Sequence, residues 1–296
     1  MRIVVTGSSG LIGTALRQSL TADGHEVVRL VRHEPHGPDE VAWDPIRGDI
    51  DAESLKGADG VVNLAGANLG DRRWTDEFKQ VARNSRLDST RLLAEAMASV
   101  DPRPPVLVSG AAIGVYGPDR GDERLDESSA LGWGFLADLV RDWEAATAPA
   151  AAAGVRVCTI RTGLVMSKHG GALERQLPFF RLGIGGPLGR GKQWWSHVSL
   201  VDVVRAIRFL LECEDCSGPY DVTAPEPVTN AEFTKVLARA LGRPALLPVP
   251  PPALRIYLGE FAQDVLGSLR VYPTRLLAAG FEFEHPDAES VVRAAL

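Results

Sequence analysis

Three glycines near the start of the chain constrain its fold more than any other feature. Gly7, Gly10 and Gly13 follow the apolar run "RIVVT" with G-x-x-G-x-x-G spacing and precede a helix-like segment. In such a unit the first glycine allows a tight turn, the second lets backbone approach a pyrophosphate, and the third lets the helix pack closely on the strand. The helix N-terminus then faces the phosphate charge. The spacing predicts a dinucleotide site that includes Gly7, Ser9, Gly10, Leu11, Ile12 and Gly13.

Short β-branched runs alternate with helix-like segments through the first half of the chain. This alternation predicts a parallel sheet covered on both faces, and the nearly continuous apolar character of the runs fits strands buried on both sides. We therefore predict an α/β fold with a Rossmann-type, doubly wound parallel sheet. Strands are predicted at 2–6, 25–31, 60–65, 105–110, 155–161 and 219–224, and helices at 11–23, 75–99, 135–152, 200–213, 230–242, 253–266 and 273–279.

The composition changes after the fifth predicted strand. Residues 163–196 are rich in glycine, and the proline run at 248–252 precedes the last predicted helices. These features predict a smaller, mostly helical C-terminal lobe that binds a small-molecule substrate. The predicted domains are a dinucleotide-binding domain of residues 1–163 plus 199–224 and a substrate-binding lobe of residues 164–198 plus 225–296.

Charge, hydropathy and cysteine content narrow the class of protein. The net charge of −6 argues against a nucleic-acid partner. No apolar run approaches the ~20 residues needed to span a bilayer, and no signal-peptide pattern is visible. We expect a cytoplasmic monomer or homodimer with no membrane partner. Cys213 and Cys216 form a C-x-x-C pair, which fits a redox pair, half a zinc site or a coincidence at a helix end; no second pair completes a zinc site, so we predict no metal.

The end of the second predicted strand bears on which dinucleotide is bound. NAD sites place a carboxylate about 20 residues past the glycines to hold the ribose 2′-hydroxyl. Positions 29–33 hold no acid, and Arg32 and His33 stand there instead. Since a guanidinium binds a 2′-phosphate through charge-assisted bonds, we predict NADP(H) in preference to NAD(H). Glu34 is the one nearby acid, and it leaves NAD possible.

The third predicted strand ends in small residues. In "NLAGAN", Leu64, Ala65 and Gly66 stand at the carboxyl end of the strand, where open α/β sheets bind ligands. A flat cofactor can lie against backbone there, so we add these three residues to the predicted cofactor site. Simple close packing is the alternative explanation.

Several motifs together resemble a known superfamily. "TGSSGLIG", "NLAG", "SGAAIGVYG" and "SHVSLVDVV" occur in the order typical of extended short-chain dehydrogenases/reductases. "RTGLVMSKHGGAL", "GGPLGRGKQWWS" and "PVTNAEF" are similar to an atypical branch, whose members are named epimerase family proteins and carry a C-terminal domain of undefined function. The resemblance implies the fold and an NAD(P) cofactor, but no settled substrate.

The resemblance also shows what this chain lacks. The superfamily uses a serine and a Tyr-x-x-x-Lys pair, in which the lysine lowers the pKa of the tyrosine for proton exchange. No tyrosine here has a lysine four residues later. Counting back from Glu144, the tyrosine position falls at Leu136 or Phe135 and the lysine position at Val140 or Leu139. The remaining candidates for the proton donor are Ser109, which we also place at the cofactor, Tyr116, ordered water and the substrate itself. A serine that only bonds backbone at a strand end is the alternative for Ser109.

Two further positions depart from the superfamily. Arg86 replaces an asparagine at a helix entry, and we include it in the cofactor site. Gln193 stands where sugar-nucleotide epimerases have an arginine that holds the diphosphate. We predict that Gln193, together with Arg190, Trp194 and Trp195, contacts one face of a flat substrate. Packing within the lobe is the alternative for the tryptophans.

Three hypotheses about function follow. The first is an NADP(H)-binding oxidoreductase-like or epimerase-like enzyme that acts on a small organic substrate. The second is a non-catalytic NADPH sensor or scaffold, which the missing Tyr-Lys pair favours. The third, a nucleotide-sugar epimerase, is weakened by Gln193.

Overall fold

A large parallel sheet forms the centre of the computed structural model, which describes residues 1–70 and 72–296. The strands of the described residues are β1 (Arg2–Thr6), β2 (Glu26–Val31), β3 (Glu40–Asp44), β4 (Asp49–Ile50), β5 (Gly60–Asn63), β6 (Val106–Ala112), β7 (Arg124–Leu125), β8 (Arg156–Thr162), β9 (Leu164–Met166), β10 (Trp194–Trp195), β11 (His197–Ser199), β12 (Gly218–Val222), β13 (Val228–Thr229) and β14 (Arg270–Val271). Eight of them form one sheet in the order β12-β8-β6-β5-β1-β2-β3-β4. All neighbours in this sheet are parallel except β3 and β4, which are antiparallel.

Helices cover this sheet and build the rest of the molecule. Those of the described residues are α1 (Leu11–Ala22), α2 (Asp76–Ser99), α3 (Phe135–Ala145), α4 (Ala148–Ala152), α5 (Gly171–Arg181), α6 (Leu200–Glu212), α7 (Asn230–Leu241), α8 (Pro251–Leu258), α9 (Ala262–Leu266), α10 (Thr274–Ala278) and α11 (Ala288–Ala295). None of the helices in the described part of the chain is long and apolar enough to cross a membrane.

Alternate residues of the central strands point to opposite faces of the sheet, and each face has its own core. Ile3 and Val5 of β1 pack with α1 and α6, whereas Val4 between them packs with α2 and α4. Burial on both faces explains why these strands are apolar at nearly every position. The prediction of a doubly wound parallel sheet is confirmed.

A third core holds the C-terminal lobe together. It joins α5, α7, α8, α9 and α11 around the buried aromatic side chains of Phe180, Trp195 and Phe233. The mostly helical lobe predicted from the sequence is therefore present. Leu276 and Phe281 belong by sequence to this lobe but pack in the core under α6, so the chain returns to the sheet near its end. The predicted domain boundaries themselves stay a prediction.

Some predicted helices are interrupted. The helix predicted over 135–152 is divided into α3 and α4, with Pro149 in the first turn of α4. The helix predicted over 253–266 is divided into α8, a 3₁₀ turn at Gly259–Phe261, and α9. Gly259 has φ +64°, a conformation that favours glycine and ends α8.

Candidate functional site

The turn between β1 and α1 has the backbone that the glycine spacing predicts. Gly7 has φ +64°, and a Cβ there would lie 2.4 Å from the Leu64 carbonyl oxygen. A Cβ on Gly13 would lie 2.2 Å from the Gly7 carbonyl oxygen, so α1 packs directly on the turn. A Cβ on Gly10 would meet only the Gly7 carbonyl oxygen, at 3.3 Å. Gly7 and Gly13 thus allow the fold, while Gly10 leaves the outer side of the turn open.

The N-terminus of α1 is suited to a phosphate. Its N-cap is Gly10, and no side chain caps the free N–H groups that follow. Ser8 is buried, whereas Ser9 and Gly10 are exposed at the outer side of the turn, and Leu11 and Ile12 begin the helix half-buried. Uncapped N–H groups and the positive end of the helix dipole attract an anion. The residues of this turn therefore fit the pyrophosphate of a dinucleotide.

The segment after β2 carries exposed basic side chains. Arg32 directly follows β2 and is exposed. Asp39 and Glu40 bind Arg29 at 2.7 and 2.9 Å, whereas Glu34, the acid that leaves NAD possible, is exposed. Arg32 therefore follows a strand that neighbours the glycine turn, and Asp39 and Glu40 are bound to another arginine.

A group of possible metal ligands lies in the same segment. His33, His36 and Glu40 have ligand atoms within 4.8 Å of one another. The Glu40 carboxylate already accepts the His36 backbone N–H at 2.7 Å and binds Arg29. Because Arg29 would compete with a cation for this carboxylate, we assign no metal here.

The turn after β5 continues the site from the glycine turn toward α2. Leu64, Ala65 and Gly66 follow β5, and the Leu64 carbonyl lies against Gly7. A Cβ on Gly66 would lie 3.2 Å from the guanidinium carbon of Arg86 on α2. The structure therefore brings Arg86 beside Gly66, the last of the three residues predicted at this strand end.

Ser109 belongs to a buried polar network at the carboxyl ends of the strands. Asn63 donates to Thr90 Oγ1 at 2.7 Å and to Ser109 Oγ at 3.2 Å. Thr6 donates to Asn63 Oδ1 at 2.7 Å, and Trp143 donates to Thr90 at 3.0 Å. This network ties β1, β5 and β6 to α2 and α3. The side chain of Ser109 has no accessible surface in this arrangement.

Tyr116 lies in a second buried network. Its hydroxyl donates to Asp221 Oδ2 at 2.6 Å and accepts from Arg161 Nη1 at 3.2 Å, and Arg161 binds Glu144 through two bonds of 2.7 and 2.9 Å. Burial, followed by the charge of Asp221, raises the pKa of Tyr116 well above its usual value. The side chain is fully buried. A hydroxyl that is enclosed and hard to ionise is poorly placed to exchange a proton with a substrate, so this geometry argues against Tyr116 as the donor.

The helix that carries the Tyr-Lys pair in the superfamily presents apolar side chains here. Leu136 of α3 packs on the 3₁₀ turn Ile113–Tyr116 that follows β6, where a Cβ on Gly114 would lie 3.2 Å from Leu136 Cβ. Leu139 and Val140, the two candidate lysine positions, are both buried.

Phe135, the other candidate tyrosine position, packs edge-on against Trp74. These positions of α3 therefore supply neither a phenol nor an ammonium, although Lys79 Nζ of α2, which binds Glu260, lies 5.9 Å from the centre of the Phe135 ring.

The four predicted substrate residues of the lobe do not gather at one surface. Gln193 is 9 % exposed and donates to the Leu188 carbonyl at 3.1 Å. Trp195 packs against Phe233 in the lobe core. Trp194 donates to Asp122 at 2.8 Å, and Arg190 is exposed. The structure thus favours packing over substrate contact for Gln193 and Trp195.

Several residues of the site were not singled out from the sequence. Asn63 and Thr90 organise the network around Ser109, and Arg161 with Glu144 organises the one around Tyr116. An asparagine closing the run "GVVN" and an arginine inside "VRVCTIR" were available signals. Each is a polar side chain in a buried strand, and such a side chain needs a partner.

The structure decides between the interpretations of the cysteine pair. Cys213 and Cys216 are joined by a disulfide just after α6, so the spacing is not a coincidence at a helix end.

Comparison with known proteins places this geometry among related chains. Residues 3–222 match the NAD dependent epimerase/dehydratase family, and residues 249–295 match a Domain of unknown function (DUF1731). The chain is 44 % identical over 284 residues to the "Epimerase family protein ML0860" of Mycobacterium leprae (strain TN), covering 96 % of this chain and 92 % of that protein.

Solved structures show the same architecture. The human epimerase family protein SDR39U1 (isoform 2), solved with NADPH, superposes with a TM-score of 0.92 at 35 % identity, covering 100 % of this chain and 99 % of that one. MoeE5 in complex with UDP-glucose and NAD has a TM-score of 0.78 at 20 % identity, covering 100 % of this chain and 97 % of its own. The second likeness shows the fold alone.

Proposed function

Because the chain belongs to the NAD dependent epimerase/dehydratase family, we propose that it is an NADP(H)-binding oxidoreductase-like or epimerase-like enzyme that acts on a small organic substrate. The observation that carries this proposal is the turn at Gly7–Gly13. Its open outer side meets the uncapped N-terminus of α1 at the carboxyl edge of the sheet. Open α/β sheets bind dinucleotides at this edge.

Preference for NADP(H) over NAD(H) is proposed from the end of β2. Arg32 is exposed there, and both Asp39 and Glu40 are bound to Arg29. A guanidinium can hold a 2′-phosphate through two parallel hydrogen bonds. The NADPH in the structure of the 35 % identical human protein supports the same choice.

The cofactor, when bound, would supply or accept a hydride. The residues of this chain would hold it and shape the space around its reactive end. Leu136, at one of the two candidate tyrosine positions, would help to shape this space, but an apolar side chain cannot deliver a proton. The proton would then come from ordered water, from the substrate, or from Ser109 if the network around Asn63 rearranges.

Two observations favour the alternative of a non-catalytic NADPH sensor. Tyr116 is fully buried, and the two candidate lysine positions are buried and apolar. General acid–base catalysis is typically worth about 10²–10⁴-fold in rate. A protein without that contribution could bind the cofactor and turn over little or no substrate.

A nucleotide-sugar epimerase has less support. Gln193 is buried and bound to a carbonyl of its own lobe, so it does not offer a positive charge to a diphosphate. A neutral amide cannot replace a guanidinium in that role.

Turnover separates the enzyme from the sensor. NADPH oxidation should be followed against a broad panel of ketones and aldehydes, with Ser109→Ala and Tyr116→Phe beside the wild type. We expect simple carbonyl compounds to react at least about a hundredfold more slowly than a typical turnover near 10 s⁻¹, and an activated substrate to react faster. Ordinary ketone turnover near 10 s⁻¹, unchanged in both variants, would show that another group donates the proton. Binding without any turnover across the panel would favour the sensor.

A further inference from the structure

Arg86 differs from the other buried arginine of the sheet edge. It is 9 % exposed, yet no carboxylate among the described residues pairs with it. The hydrogen bond of its guanidinium goes to the Ala82 carbonyl of its own helix, at 3.0 Å, and the guanidinium carbon lies 5.1 Å from the Trp143 ring. By contrast, Arg161 is 4 % exposed and bound to Glu144 through two bonds.

A buried cation without a carboxylate is costly to the folded protein. Burial lowers the pKa of the Arg86 guanidinium to about 10, and the group therefore remains charged at neutral pH. Neither a backbone carbonyl nor an aromatic face neutralises a full charge. An unpaired guanidinium retained at this position indicates that a bound anion neutralises it.

The position of Arg86 indicates which anion. The guanidinium lies against Gly66, and the turn that contains Gly66 lies against Gly7 through the Leu64 carbonyl. A continuous line of contacts thus runs from the phosphate-binding turn to Arg86. The pyrophosphate of a dinucleotide bound at the N-terminus of α1 would bring negative charge to this line of contacts.

We propose that Arg86 is the internal counter-ion of the cofactor pyrophosphate, and that its unpaired burial makes the protein without cofactor less stable than it could be. The proposal rests on the proposed NADP(H) site. It assigns Arg86 a role different from that of Arg32, because the pyrophosphate is common to NADPH and NADH whereas the 2′-phosphate is not.

The test compares Arg86→Met with Arg161→Met in the full chain. Without cofactor, Arg86→Met should raise Tm by about 2–4 °C, because it removes an unpaired buried charge. Arg161→Met should lower Tm by at least about 5 °C, because it leaves Glu144 without its partner. A merely structural Arg86 would behave as Arg161 does.

Cofactor binding gives the second readout, by calorimetric titration. Arg86→Met should weaken NADPH and NADH by similar factors of at least about tenfold, while Arg86→Lys should retain part of the affinity. Arg32→Ala should weaken NADPH alone. The proposal is overturned if Arg86→Met lowers Tm without cofactor, or if it leaves both affinities within twofold of the wild type. If the wild type binds neither cofactor, the proposed function fails, and this proposal fails with it.

Discussion

At the scale of single residues, Asp264 on α9 predicts how the stability of the protein depends on pH. The side chain is half-buried, and burial raises the pKa of this carboxyl to about 6. No arginine or lysine among the described residues forms an ion pair with it. Because the pKa is higher in the folded protein than the unfolded value near 3.8, the charged carboxylate destabilises the folded state. This destabilisation is complete above pH 6 and disappears as the pH falls toward 3.8.

Asp264→Asn should therefore stabilise the protein at pH 8 and not at pH 4. A difference of two pKa units corresponds to about 1–3 kcal/mol at pH 8. Chemical unfolding of wild type and variant at both pH values measures this difference. Asp88→Asn, which changes an exposed acid on α2, is the control and should have little effect at either pH. Equal stabilities of wild type and Asp264→Asn at pH 8 would contradict the assignment.

Tyr116 shows what residue-level sequence reasoning could not supply. The sequence identified it as a hydroxyl in the motif "SGAAIGVYG" and a candidate proton donor. Its partners Asp221 and Arg161 lie 105 and 45 residues away along the chain. Whether a hydroxyl faces a substrate or a buried carboxylate depends on such distant contacts, which no local pattern encodes.

At the scale of elements, the β1–α1 turn contains glycines that close packing requires and one, Gly10, that faces open space. A Cβ on Gly13 would lie 2.2 Å from backbone, whereas one on Gly10 would lie 3.3 Å from its single neighbour. Gly10 also has φ −74°, which alanine adopts without strain. The two positions therefore predict opposite outcomes for the same substitution.

Gly10→Ala should fold with a loss of about 1 kcal/mol or less, and its NADPH affinity should fall because the Cβ projects toward the pyrophosphate. Gly13→Ala should lose about 1–3 kcal/mol of stability, because α1 must move away from the turn. Chemical unfolding and NADPH titration of both variants provide the check. Wild-type NADPH affinity in Gly10→Ala would place the pyrophosphate elsewhere.

The elements that were predicted well share a local signal. The strands β1, β2 and β5 and the helices α1, α2 and α6 were placed within about two residues, because apolar runs, a glycine turn or helical periodicity mark them. α5 was missed. It lies within the glycine-rich segment 163–196 and contains Pro178, so local preferences argue against a helix. Burial of Leu173, Leu177 and Phe180 in the lobe core stabilises it instead.

At the scale of the whole molecule, the C-terminal segment connects the two parts of the structure. Asp202 at the start of α6 accepts backbone N–H groups of Glu284 at 2.8 Å and His285 at 2.9 Å. β14 pairs with β7, and Phe281 packs in the core under α6. No local sequence pattern indicates these partners of Asp202, because they lie more than 80 residues away. The lobe is thereby held against the sheet edge where we place the cofactor.

Calorimetric titration of the wild-type protein with NADPH and NADH tests the central claim most directly. The exposed Arg32 at the end of β2 should favour NADPH by about tenfold or more, because a charge-assisted bond to the 2′-phosphate is worth about 1.5–3 kcal/mol. Arg32→Ala should remove this preference while leaving NADH affinity nearly unchanged. Equal affinity for NADPH and NADH in the wild type would contradict the account.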